Sequence, residues 1–215
     1  MAVDMLESQG TKLEMSSGSG DAITGMTATV GYPTLLTSES HGLSDGDVGD
    51  LSAFAGTDAA DMNGETVIVK YASTNTFSVD IDTTGKTLTA ANGTITPQTY
   101  TEIGSIQDWD LAGDTHNMID FTALGSTRAE EKPGIPRGSA MTFSMNWTSD
   151  DTGLLAAEVA RAAKTLKTWR VTYSDDAVHT FTGYVTAISD SGGGDDKVSG
   201  SITIHRVGAL TLSWA

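Results

Sequence analysis

The chain has 215 residues, 38% of them hydrophobic, enough for one large domain or two small ones that each bury a core. Its 28 acidic residues against 12 basic ones leave a formal charge of −16, which argues against direct duplex binding, because neutralising phosphates needs concentrated Lys and Arg. There is no cysteine, which excludes disulfide staples and thiol chemistry, and neither a basic, apolar leader nor a long apolar run, so no signal peptide or membrane span is expected.

In chain order, the first strand candidate is GTKLEM at residues 10–15, which runs into a glycine and serine stretch at 16–20. A separate series follows within residues 22–96. The turn HGLSDGD at 41–47 precedes a strand candidate at 48–54, and Met62-Asn63-Gly64 precedes a β-prone run at 66–71. A turn at 73–76 then leads into 77–81, whose apolar residues fall at period two. Sequons at Asn92 and Asn146 are accidental if the chain is not secreted.

Two further strand candidates cover 100–109 and 116–121. The segment 122–138 holds Pro133 and Pro136 among Arg128, Glu130, Glu131, Lys132 and Arg137. Proline removes a backbone donor and fixes φ, so this is a loop or a distorted hairpin and no central strand. Residues 140–147 alternate strictly, with Phe143, Met145 and Trp147 on one face, which predicts a strand buried on that side. Polar residues at 148–151 offer an N-cap, and Leu154, Leu155, Val159, Ala162, Ala163 and Leu166 recur at helical spacing. With Lys164 and Lys167 at the negative end, this predicts one helix over about 150–167, its apolar face packed on a sheet. Three patterned runs between 169 and 204, joined by turns at 174–176 and 191–196, read as an antiparallel meander.

Candidate chemistry is sparse. Gly85-Lys86-Thr87 could end a phosphate loop, but Asp80 stands where the first glycine is required. Asp45, Asp47 and Asp50, or Asp195 with Asp196, could offer oxygen ligands to calcium, yet neither group has the spacing of a helix-loop-helix calcium loop, and a solvated turn is the simpler reading. His41, His116, His179 and His205 lack a paired spacing, and no serine or threonine sits in a nucleophile elbow. No catalytic residue, metal site or cofactor is therefore expected, and the chain does not read as an enzyme.

The wording of several strands is familiar. FTGYVT at 181–186, SDSGGGDD at 189–196 and SITI at 201–204, with GTKL at the start and EEKPG at 130–134, resemble the major tail tube protein of long-tailed, lambda-like bacteriophages. The resemblance covers about 9–21 and 97–212. It implies a mainly β fold: a two-sheet β-sandwich or half-open barrel with one flanking helix. The subunits would form stacked hexameric rings in the virion tail, assembled in the host cytoplasm, with a lumen that conducts the genome on ejection. Partners would be further copies of the chain and the tape measure, terminator and distal tail proteins; DNA would pass without specific binding. The loop with Arg128, Glu130, Glu131, Lys132, Pro133 and Arg137 would pack against the neighbouring ring.

In that family the glycine-rich turn leads straight to a strand resembling 100–106, whereas here residues 22–96 intervene. The expected organisation is a discontinuous sandwich domain, 1–21 and 97–215, with 22–96 inserted as an outer all-β domain that faces solvent or a host surface. The insert resembles a small β module that recurs in phage tail proteins. It holds nine acidic and two basic residues, a net of −7 that leaves −9 elsewhere, so an acidic lumen is expected, lined by polar faces of strands within 100–121 and 169–204. Two other readings stay open: another virion protein, such as a tail terminator or decoration protein, or a carbohydrate-binding or adhesive module using Trp109, Trp147, Trp169 and Trp214.

Overall fold

The computed structural model describes residues 9–89, 92–148, 150–175, 177–193 and 197–213. Runs in which apolar and hydroxyl side chains alternate form strands wherever one face can be buried. In order they are β1 (Lys12–Ser19), β2 (Ile23–Thr29), β3 (Thr34–Thr37), β4 (Val48–Ser52), β5 (Thr66–Ile68), β6 (Thr76–Val79), β7 (Gly93–Ile103), β8 (Ile106–Asp110), β9 (Thr115–Asp120), β10 (Glu131–Arg137), β11 (Ala140–Asn146), β12 (Lys167–Thr172), β13 (Val178–Ser191) and β14 (Ser199–Ser213). A 3-10 turn (Ala59–Asp61) follows β4, and the helix α1 (Thr152–Ala163) follows β11. The molecule is mainly β and antiparallel, a sandwich with one flanking helix.

The body runs β7-β1-β12-β13-β14-β11-β8. The predicted meander is β12, β13 and β14, each antiparallel to the next, while the expected turns at 174–176 and 191–196 lie partly outside the described residues. Bulges between Thr180 and Thr182, and between Val185 and Ala187, bend the long β13–β14 ribbon, so that one half pairs with β12 and the other with β11. The strict alternation of β11 puts Met141, Phe143 and Met145 inside, with Trp169, Phe181, Ile202 and Ile204 opposite. Trp169 is fully buried and donates its indole N–H to the Gly183 carbonyl at 3.1 Å, so the largest core side chain leaves no polar atom unsatisfied.

A second core gathers Met26, Leu36, Leu51, Met62, Val69, Phe77 and Ile95 from β2 to β7. The strand β7 serves both. Gly93 to Pro97 pair with β2 and β4, while Gln98 to Ile103 pair with β1.

Several boundaries differ from the sequence reading. The glycine and serine stretch after residue 15 is strand as far as Ser19, accommodated by a bulge between Ser16 and Gly18. The expected end of the insert near 96 falls inside β7, which starts at Gly93; Pro97 is tolerated there because its carbonyl is used, accepting from Gly20 at 2.6 Å. The strand expected over 100–109 breaks at Gly104-Ser105, where Ser105 takes a φ of 58°. β2 and β3, rich in threonine, are strands beyond those expected from the sequence.

The helix is shorter and rotated relative to expectation. It is capped by Asp151, which accepts from Leu154 N at 3.0 Å, and it stops when Lys164 turns left-handed. Its buried face is Gly153, Leu154, Ala157 and Ala160, while Leu155 and Val159 are 58% and 68% exposed. Small residues win the inner face because the backbone comes very close: a Cβ on Gly153 would stand 2.1 Å from the Glu102 carbonyl oxygen.

Candidate functional site

The residues singled out at 128–137 belong to a two-stranded arm. β9 and β10 pair only with each other, apart from the main sheet, and every residue of β9 is exposed. Pro133 and Pro136 bracket a register shift, which explains how a strand can hold two prolines. Between the strands, Phe121 N donates to Glu130 O at 2.7 Å and Glu130 N donates to the Thr122 hydroxyl at 3.0 Å. Thr122 also holds the Asp120 carboxyl below its ordinary range, through hydroxyl and backbone hydrogen bonds. Lys132 lies 5.3 Å from the Phe121 ring centre. Arg128, Glu130 and Glu131 are exposed toward the tip, and Arg137 is exposed at the root.

The arm has no core of its own. Met118, Ile119, Phe121, Leu124 and Ile135 are all exposed, Ile135 to 84% and Leu124 completely. A ribbon of two strands cannot bury such side chains by itself, so they call for a partner surface. The apolar residues at 118–124 and 135, set among charges and prolines, were the signal that sequence reading passed over.

The arm's root is tied to the main sheet. Arg206, 1% exposed, pairs with Asp114 and donates to the Gly208 carbonyl at 2.9 Å, while its backbone N–H donates to Ser139 O at 3.2 Å. Gly138 permits this, since a Cβ there would stand 2.2 Å from the Arg206 carbonyl oxygen.

A second polar cluster joins the two cores. Arg170 on β12 pairs with Glu14 on β1 at 2.8 Å and with Asp47 from the 41–47 turn at 3.2 Å, and its guanidinium lies 4.3 Å from the Tyr100 ring centre. Burial opposes the arginine's charge, but the Glu14 bond and the two carboxylates outweigh it and raise its pKa. Burial likewise pushes the Tyr100 phenol up.

The remaining candidates are structural where they can be seen. Asp45 accepts from Ala72 N at 2.6 Å, Asp47 from Ser44 N at 2.8 Å and Asp50 from the Thr66 hydroxyl at 2.6 Å, so these carboxylates fasten turns. Asp195 and Asp196 lie outside the described residues. Lys86 pairs with Asp61 at 2.8 Å. His41 is buried against Phe77, and His116 bonds the Gly134 carbonyl. Among the described residues no three His, Asp or Glu side chains come together as a metal site. Trp169 is core, Trp109 and Trp147 pack against that core, and Trp214 lies outside the described residues.

Residues 57–213 match the family model for the phage tail tube protein, well over half of the chain. The chain belongs to the phage tail tube protein family. It is a structural subunit of a phage tail tube. The match begins inside the 22–96 segment and takes in both strands of the arm. No curated protein matches. Among solved structures, a chain titled as the tail of an empty gene transfer agent particle with C6 symmetry is 15% identical over 53% of this chain and 86% of that one, with a TM-score of 0.45. One from the virion of a native gene transfer agent is 16% identical over 53% and 88%, with a TM-score of 0.46. The assignment rests on the family match alone.

Proposed function

We propose that this chain builds the tail tube as hexameric rings stacked through the β9–β10 arm, around a lumen that passes the genome on ejection. The observation that carries this reading is the arm itself: a ribbon tied to the main sheet at its root, with exposed apolar and charged side chains and no core. In a stacked assembly each arm would be covered by the adjacent ring, which removes both the apolar exposure and the free strand edges. The role is non-enzymatic, and a conduit needs no cofactor. The tape measure, terminator and distal tail proteins would be partners at the two ends of the tube, with assembly in the host cytoplasm. The segment 22–96, which carries the second core, would stand outside the tube as a domain of its own, open to a host surface. An acidic inner wall would repel the duplex and let it slide.

The test is charge reversal on the arm. Glu130→Lys with Glu131→Lys should abolish tubes seen by electron microscopy while circular dichroism of the monomer stays β-rich. Normal tubes from this variant at low salt, where charge effects are largest, would rule the arm out as an electrostatic ring contact.

A further inference from the structure

We infer that the outward face of α1 is the seat for the β9–β10 arm of a second copy of this chain. The inference rests on the tube reading above and names the surface that the arm meets. Leu155 and Val159 stand one turn apart on the solvent side of α1, on a helix whose inner face already packs against β1, β7 and β13. Beside Val159 runs a groove of about 370 Å³ between α1 and the middle of β1, with Met15, Ala156, Ala160 and Ala163 in its wall. Small side chains along the helix leave space that an apolar side chain from elsewhere can fill. The arm offers Leu124 and Ile135, exposed and unsupported.

Charge selects the same pairing. In a chain of net −16, three of the 12 basic residues, Arg161, Lys164 and Lys167, fall at the C-terminal end of α1 and the start of β12. Arg161 pairs with Glu158, whereas Lys164 and Lys167 have no ion pair among the described residues. The arm has as many acidic residues as basic ones, Asp120, Glu130 and Glu131 against Arg128, Lys132 and Arg137, but its carboxylates gather at one place: Asp120 faces Glu131 across the ribbon and Glu130 adjoins them, a like-charge contact that an isolated hairpin disfavours. An apolar stripe ending in lysines thus matches an apolar ribbon edged by carboxylates, and steering by these charges would fix which end of the arm meets which end of the helix.

The lack of cysteine makes the test clean. Val159→Cys and Leu124→Cys, each an exposed position, are mixed, allowed to assemble and treated with a short bismaleimide. Cross-linked dimers joining one variant to the other should appear in the tube fraction, well above those from a control mixture of Leu124→Cys with Thr84→Cys. Tubes in which the helix pair cross-links no better than the control would overturn the inference while leaving the tube reading intact. Wild-type chain that never forms tubes would instead sink the tube reading itself. As a second arm, Lys164→Glu with Lys167→Glu should lose tubes, and adding Glu130→Lys and Glu131→Lys to the same chain should restore them. Tubes lost in both charge variants and still missing from the combined one would also contradict the inference.

Discussion

Arg206 shows what a single side chain does for the arm. Its guanidinium is enclosed beneath the arm's root and has one carboxylate partner, Asp114, itself partly exposed. Breaking a fully buried pair costs about 3–5 kcal/mol because a charge is stranded; water at Asp114 reduces that here. Asp114→Ala should therefore lower the free energy of unfolding in urea by about 2 kcal/mol. An unchanged midpoint and slope would mean that the arm's root is held by the backbone alone. The sequence offered no hint of this pair, because Asp114 and Arg206 are 92 positions apart and neither stands in a motif.

At the scale of elements, α1 illustrates close approach. Asp151 caps the helix and also accepts from Gly104 N at 2.8 Å, tying it to the break between β7 and β8. Gly153 sits where no Cβ fits. Gly153→Ala gains about 1 kcal/mol in helix propensity, but the overlap with the Glu102 carbonyl costs about 1–3 kcal/mol and shifts the helix. A thermal melt should show a net loss; a rise in melting temperature would contradict the packing described. This helix also marks how far sequence reading reached. Its existence, cap and place in the chain were legible from Asp151 and the spacing of Leu154 onward, but its face was not. Periodicity groups Leu154, Leu155 and Val159 together, whereas backbone distance selects Gly153, Ala157 and Ala160 for the inside. β11 and the β12–β14 meander were legible because alternation alone decides which face is buried. β2, β3 and the N-terminal half of β7 were not, since their glycine, threonine and proline content mimics turns and only pairing partners distant in sequence make them strands. The arm's residues were legible as a charged, proline-bearing loop, while its exposed apolar side chains needed the structure.

For the whole molecule, two cores on one continuous strand raise the question of independence. Ser19 pairs with Gln98, and Gly20 bonds Pro97, so the chain leaves for the second core and returns at the same point. Replacing residues 22–96 with a short Gly-Ser link should leave tubes intact by electron microscopy, since a lumen crowded by this segment could not pass a duplex about 20 Å across, as groove dimensions imply. A shortened chain that folds yet forms no tubes would make the segment part of the ring contact. The Arg170 cluster would hold the two parts in fixed orientation, so any outer projections should be regular along the tube. The most direct test of the tube assignment is negative-stain microscopy of the purified full-length chain: stacked, hollow rings of uniform width with six regular outer projections per ring are predicted, and monomers or isolated rings at every concentration would contradict it.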